Sequence, residues 1–307
     1  MFIDVRGMTV RIANLNGRLV VTAPDGAIDV EEASAGRFGP DPQGVYDVWP
    51  DFVEWAANGL AGRQPVPFDP ARLGAPVPRP RQVFGIGLNY REHAAESSMD
   101  VPAEPTVFTK FPTAVTGPFA VVDLPASTVD WEAELVVVIG AVAHRVPAAD
   151  AWSYVAGVTV GQDLSERTRQ LLPPVPQFSL GKSFPGFAPL GPELVTIDEL
   201  PNHDDLEVGC SLNGEIVQQG RTKDMIFDVP TLIERLSAIV PLQPGDIIFT
   251  GTPSGVGHAR NPRRYLGPGD LLSTWVEGVG QLSNTFVDGT VPAGASSPVP
   301  ASKGPVT

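Results

Sequence analysis

An unbroken apolar run, Leu135-Val136-Val137-Val138-Ile139, is closed by Gly140 and headed by Trp131-Glu132-Ala133-Glu134. A stretch of β-branched and leucine residues with no polar alternation predicts a strand buried on both sides. Glu132 and Glu134 stand two residues apart at its head, so both carboxylates point to one face and Ala133 to the other. Like charges held that close beside an apolar strand are costly unless a cation sits between them, and oxygen ligands favour a hard cation: Mg²⁺, Mn²⁺ or Ca²⁺. The pair reads as half of a metal site. Solvated glutamates at a strand mouth would look the same locally, so the rest of the site has to be sought elsewhere in the chain.

Glycine and proline supply 32 and 33 of the 307 residues, well above ordinary usage. Turns should be frequent, helices few and β structure dominant. Lys and Arg number 21 against 35 Asp and Glu, a formal charge of -14, and the one basic cluster, Arg260, Arg263 and Arg264, is short. Such a surface is a poor partner for nucleic acid or an anionic membrane. The single cysteine, Cys210, allows no disulfide within the chain and fits a cytoplasmic setting. No run of about 18 apolar residues exists, and Asp4 and Arg6 interrupt the N-terminus too early for a signal peptide.

Residues 1–75 read as a small N-terminal α+β domain. Val10–Ala13 and Arg18–Thr22 flank Asn16-Gly17, a strong hairpin signal, and Phe52–Ala57 suggests a short helix. Pro65, Pro67, Pro70, Pro76, Pro78 and Pro80 then make a linker that can continue neither a helix nor a central strand. Residues 76–288 form the larger unit. Gln82–Gly87 is its first strand, and Asn89, with Glu92 completing a capping box, opens a short helix that places His93 and Glu96 on one face. Ser97–Pro105 has the composition of a mobile loop. Further strands are expected over Val155–Asp163 and Asp246–Thr250, with a second hairpin about Asn213-Gly214. Between Pro230 and Pro241 the spacing of Leu232, Ile233, Leu236 and Ile239 predicts a helix. Residues 289–307, rich in proline, alanine, serine and glycine, read as a disordered tail.

Histidine is scarce. His144 and His203 have loop-like surroundings and read as ordinary solvated residues, and His258 follows a glycine loop without an evident partner. His93 differs because a carboxylate at i+3 would fix its tautomer and raise its basicity, as a base taking a proton from water requires. A plain surface pair has the same spacing. The loop Gly251–Gly257 lacks a Walker lysine and suits a tight turn over a substrate. Lys182 is a candidate cation for a substrate carboxylate or enolate.

Taken in order, Asn89-Tyr90-x-x-His93-Ala94-x-Glu96, Trp131-Glu132-x-Glu134-Leu135, Asp163, Gly181-Lys182-Ser183-Phe184, Asp224-Met225-Ile226-Phe227 and Gly245-Asp246 through Gly257 resemble the fumarylacetoacetate hydrolase family, in its short acylpyruvate hydrolase and hydroxyhepta-dienedioate isomerase branch. The resemblance implies a mixed α/β, β-rich fold with a C-terminal β-roll domain, a homodimer, and cleavage or rearrangement of oxo acids with Mg²⁺ or a similar ion. Carried over by motif, it makes Glu132, Glu134 and Asp163 the metal ligands and His93 with Glu96 the water-activating dyad. Lys182 would face the enolate oxygen, and Arg167, Gln170 and Thr252 would hold polar substrate groups, with Tyr90 and Arg91 at the mouth.

The activity this implies is hydrolysis of acylpyruvates such as fumarylpyruvate. The ion would act as Lewis acid and template, His93 would activate water for attack at the C4 carbonyl, and breaking C3–C4 would release pyruvate and a carboxylic acid. The same enolate-stabilising set could instead isomerise a dienoate or decarboxylate oxaloacetate, and a family member without turnover would be a binding protein. Two departures bear on the substrate: Pro185 follows Lys182-Ser183-Phe184, and Gly161-Gln162 stands where Ala-Asn is frequent.

Overall fold

Both Asn-Gly pairs turn hairpins, with left-handed φ at Asn16 (54°) and Gly17 (79°) and at Asn213 (53°) and Gly214 (85°), the backbone a two-residue type I′ turn requires. The computed structural model describes residues 10–96 and 100–289. The expected disordered tail lies outside the described residues from position 290, as do residues 97–99 of the expected mobile loop and the first nine residues.

The main sheet has 11 strands. Its path runs Gly26–Asp29, Arg18–Ala23, Arg11–Leu15, Ala188–Val195, Val155–Gln162, Ala133–Ile139, Ile247–Phe249, Val83–Gly87 and Thr106–Thr109. A second, five-stranded sheet, ordered Glu215–Arg221, Glu207–Leu212, Leu271–Val276, Gly280–Asp288 and Val121–Leu124, packs across its centre. The result is a mixed α/β, strand-rich fold.

The apolar run takes the place predicted for it. Leu135, Val136, Val137, Val138 and Ile139 are all 0% exposed, each burial contributing about 1.5–3 kcal/mol by transfer. On one edge the strand pairs antiparallel from Ala133↔Gln162 to Ile139↔Val155. On the other it pairs only from Val136↔Phe249 to Val138↔Ile247. Its head, carrying Glu132 and Glu134, therefore projects past the shorter neighbour.

The main sheet crosses the boundary expected near residue 75. Arg11 and Ile12 pair antiparallel with Val195 and Leu194, so the N-terminal hairpin extends the central sheet. The helix Trp49–Gly59 joins the same core: Trp49 lies so close to Gly140 that a Cβ there would be 2.8 Å from its ring. Tyr46 reaches over the proline segment, its hydroxyl donating to the Pro76 carbonyl at 3.1 Å.

The helix expected between Pro230 and Pro241 spans Val229–Ser237, with Asp228 accepting from the Thr231 amide at 2.9 Å as its N-cap. It buries Leu232, Ile233 and Leu236, whereas Ile239, expected on the same face, lies beyond the helix end and is 84% exposed. Asn89 does not act as the predicted cap. Its buried side chain donates to the Phe227 and Thr250 carbonyls (2.9 and 2.7 Å) and accepts from the Phe227 amide (2.8 Å). A side chain that can satisfy three main-chain groups across two loops is drawn away from its own helix.

Candidate active site

The projecting strand head pairs with Val155–Gln162 on one edge only, and two glutamines complete its main-chain hydrogen bonding. Gln162 Oε1 accepts from the Glu132 amide at 2.9 Å while its Nε2 reaches Thr274 on the second sheet at 3.0 Å. Gln218 Oε1 accepts from the Ala133 amide at 2.9 Å, and its Nε2 donates to Thr252 Oγ1 and the Pro253 carbonyl, both at 2.8 Å. Both side chains are at most 2% exposed, and each satisfies main-chain groups that the sheet ladder leaves free. The unusual Gln162 is thus a brace for the strand that carries the acids.

Glu132, Glu134 and Asp163 converge, with one oxygen from each lying within 4.8 Å of the others. Lys182, nearly fully buried, donates to Glu132 Oε2 at 2.8 Å, Asp163 Oδ2 at 2.7 Å and Ser165 Oγ at 2.7 Å. Lys110, equally buried, binds the other oxygen of Asp163. Arg167 bridges Glu132 Oε1 at 2.7 Å, Asp130 Oδ2 through its Nε at 2.8 Å, and Gln170 Oε1 at 2.9 Å. Burial alone would raise the Glu132 pKa, but Lys182 and then Arg167 hold it down, at about 2.

Glu134 is the exception. Its Oε2 accepts from the Gly251 amide at 2.7 Å, and among the described residues no cation is paired with it. Burial, then the charges of Asp163 and Glu132, push its pKa well above the ordinary glutamate value. An anion short of a positive partner, facing two further carboxylates in an all-oxygen donor set, fits a hard divalent ion bound between the three.

A cavity of about 540 Å³ opens beside this cluster. Glu132, Lys182, Arg167, Gln170 and Thr252 contribute to its wall, as do His93 and Glu96 from the helix Arg91–Glu96. Glu96 Oε2 lies 3.1 Å from His93 Nδ1, and both Glu96 oxygens accept from the Gly255 amide at 3.0 and 3.1 Å. The glycine loop so pins the carboxylate that orients the imidazole. With Nδ1 donating to Glu96, Nε2 keeps its lone pair and is the basic nitrogen.

The remaining expected positions divide. Thr252 reaches the cavity, yet its hydroxyl donates to the Ala133 carbonyl at 2.9 Å. Tyr90 and Arg91 do not line the cavity: Tyr90 is 2% exposed, with its hydroxyl unpartnered among the described residues, and Arg91 is exposed. Tyr90 precedes the helix and forms an isolated bridge with Met225, while Arg91 takes the solvent side of the helix. His258, read as lacking a partner, lines the cavity and has its Nδ1 2.9 Å from the Tyr265 hydroxyl. Burial first, then Arg167 and Arg263, lowers its pKa. Lys110, Asp130 and Gln218 escaped sequence reasoning. A buried lysine carries no periodic signal, and only Asp130's place just before Trp131 hinted at the site.

Residues 82–287 match the family model for the fumarylacetoacetate (FAA) hydrolase C-terminal domain. The chain belongs to the fumarylacetoacetate hydrolase family. Among relatives of this family, human mitochondrial oxaloacetate tautomerase FAHD2A is 43% identical over 235 residues, 76% of this chain and 75% of that protein. A crystal structure of a candidate HpcE protein from Mycobacterium smegmatis is 54% identical, with TM-score 0.86, covering 91% of this chain and 99% of the other. Maleylpyruvate hydrolase from Sphingobium sp. SYK-6, solved with manganese(II) and pyruvate, is 28% identical with TM-score 0.76 over 91% of this chain and 99% of that one. Enzymes that tautomerise and hydrolyse thus share this fold. No helix among the described residues is long and apolar enough to cross a membrane.

Proposed function

We propose that this protein is a divalent-metal-dependent enzyme that forms and reprotonates the enolate of a 2-oxo acid, as a tautomerase or isomerase. The observation that carries this reading is the meeting, in one cavity, of an oriented base, His93 with Glu96, and an acidic cluster capped by Lys182. Glu132, Glu134 and Asp163 would hold Mg²⁺ or Mn²⁺, which when bound polarises the 2-oxo group and so acidifies the adjacent carbon. His93 Nε2 takes the proton from that carbon and delivers it to the enolate oxygen in a tautomerase, or to a different carbon of the extended enolate in an isomerase, while Glu96 stabilises the transient imidazolium. Lys182 supplies positive charge where the enolate oxygen develops, and Arg167 and Gln170 orient the carboxylate end, Thr252 being committed to the Ala133 carbonyl. The tautomerase relative at 43% identity favours this order of readings.

Hydrolysis of an acylpyruvate is the second reading, favoured by the same dyad, since a base pinned by Glu96 serves equally to take a proton from water. A homodimer and a cytoplasmic setting belong to the proposal as well, the former resting on family resemblance and the latter on the lone buried thiol of Cys210.

A proton NMR time course separates the two chemistries. Chelator-stripped protein is compared with Mn²⁺- and Mg²⁺-reconstituted protein on oxaloacetate and fumarylpyruvate. Metal-dependent keto–enol exchange without pyruvate is expected; pyruvate with the matching acid would establish the hydrolase. Silence on both substrates with metal bound rules out either.

A further inference from the structure

Asp130 has no part in the chemistry above, yet it is fully buried and its accepting capacity is used up. It lies on the short strand Val129–Asp130, opposite Ser165. Its Oδ1 accepts from the Trp131 amide at 2.8 Å and from the Gly257 amide at 2.7 Å. Its Oδ2 accepts from the His258 amide at 2.9 Å and from Arg167 Nε at 2.8 Å. These N–H groups fill the roughly four lone-pair positions of a carboxylate. The loop comes so close that it requires glycine: a Cβ on Gly257 would lie 2.7 Å from Asp130 Oδ1 and 1.9 Å from the Arg264 carbonyl oxygen.

Two runs of contacts leave this carboxylate. On one side Arg167 continues to Glu132 Oε1 at 2.7 Å, in the acidic cluster. On the other, the loop runs back from Gly257 to Gly255, whose amide donates to both oxygens of Glu96 at 3.0 and 3.1 Å. Glu96 in turn lies 3.1 Å from His93 Nδ1. The Trp131 indole donates to the Gly255 carbonyl at 3.2 Å, which ties the same loop to the strand head. Among the described residues no hydrogen bond joins Arg167 to the loop directly, so the connection between them passes through Asp130.

We propose that Asp130 is a positioning residue: it sets Arg167 against Glu132, holds the loop from Gly255 to His258, and so makes the arginine and the His93–Glu96 dyad one hydrogen-bonded unit. This rests on the reading of Arg167 as a group that holds the ligand. Disturbing either end is felt at the other, because a buried acceptor or donor left without its partner costs more than the bond that was lost.

Two measurements test it. The first is hydrogen exchange read by mass spectrometry on the full chain with Mn²⁺ present. Arg167→Met leaves the loop's own sequence intact, yet amides in residues 255–260 should exchange about fivefold faster or more than in the wild type, while the helix Val229–Ser237 keeps its rate. No change in 255–260, or a rise shared equally by Val229–Ser237, overturns the proposal. The second is calorimetric titration of the same Mn²⁺-loaded chain with pyruvate. Asp130→Asn, however its amide is turned, sets an NH2 group against two donors, so affinity should fall about tenfold or more. In an Arg167→Met background the same substitution should cost less than about twofold, since the group it acts through is gone. Full additivity of the two substitutions overturns the proposal, and if Asp130→Asn does not fold the exchange experiment decides alone. Exchange needs neither ligand nor turnover: a wild type that binds no pyruvate would remove the reading of Arg167, and the linkage through Asp130 would still stand or fall on residues 255–260.

Discussion

Glu134 shows most sharply what a single residue does here. It is a buried carboxylate whose pKa is raised first by burial and then by Asp163 and Glu132. In metal-free protein the folded state holds its proton more tightly than the unfolded state does. Stability from this group is therefore full below the ordinary value of 4.5 and declines as pH rises from there toward the folded pKa. Glu134→Gln keeps an oxygen for the Gly251 amide and removes the charge. Metal-free Glu134→Gln should melt a few degrees above metal-free wild type at mildly alkaline pH, roughly 2–4 °C per kcal/mol regained, and the gap should close as pH approaches 4.5. The rise in melting temperature that Mn²⁺ gives the wild type should be lost. Thermal melts across pH, with and without Mn²⁺, check both; a pH-independent gap with the Mn²⁺ shift intact would contradict the assignment of Glu134 as a ligand.

At the scale of elements, the helix Arg91–Glu96 carries His93, the proposed base, but six residues are too few to be stable alone. Its position is set by clasps: Asn89 to Phe227 and Thr250 behind it, and Glu96 to Gly255 at its end. If Asn89 were only a cap, its removal would cost about 1 kcal/mol. As a buried bridge with three hydrogen bonds, its replacement by Ala should cost about 2–4 kcal/mol in urea unfolding. Turnover should fall with it at temperatures where the variant is still folded, because His93 loses its anchorage. A loss near 1 kcal/mol with unchanged turnover would return Asn89 to the role of a cap.

Across the whole molecule, the N-terminal hairpin and the strands that carry the acidic cluster belong to one sheet through the pairing of Arg11–Ile12 with Leu194–Val195. A chain beginning at residue 76 would bare the edge of Ala188–Val195 and strip Trp49 from Gly140. Such an edge beside exposed core is prone to self-association. The full chain should unfold in one calorimetric transition, and the fragment from residue 76 should aggregate or melt without cooperativity. A monomeric fragment with the melting temperature of the full chain would show that residues 1–75 are a dispensable unit.

Local chemistry was enough for several features. Alternation or its absence made Leu135–Ile139 a buried strand, the two-residue period put Glu132 and Glu134 on one face, and Asn-Gly required left-handed turns. The ordered motifs marked the family, and with it Asp163 and Lys182, because they recur at set positions along the chain. Tertiary structure alone decided the rest. Which edge accepts the N-terminal strand could not be read, because the backbone donors and acceptors of every edge are alike until packing selects a partner. Lys110, Gln162 and Gln218 gain their roles from groups that lie far away in the chain or on the facing sheet. Tyr90 and Arg91, close to His93 in sequence, stay out of the cavity because Tyr90 bridges to Met225 and Arg91 faces solvent. Strand pairing brings His258, Arg260 and Arg263 to the cavity with the acids: their loop follows Ile247–Phe249, the strand paired with the one that carries Glu134.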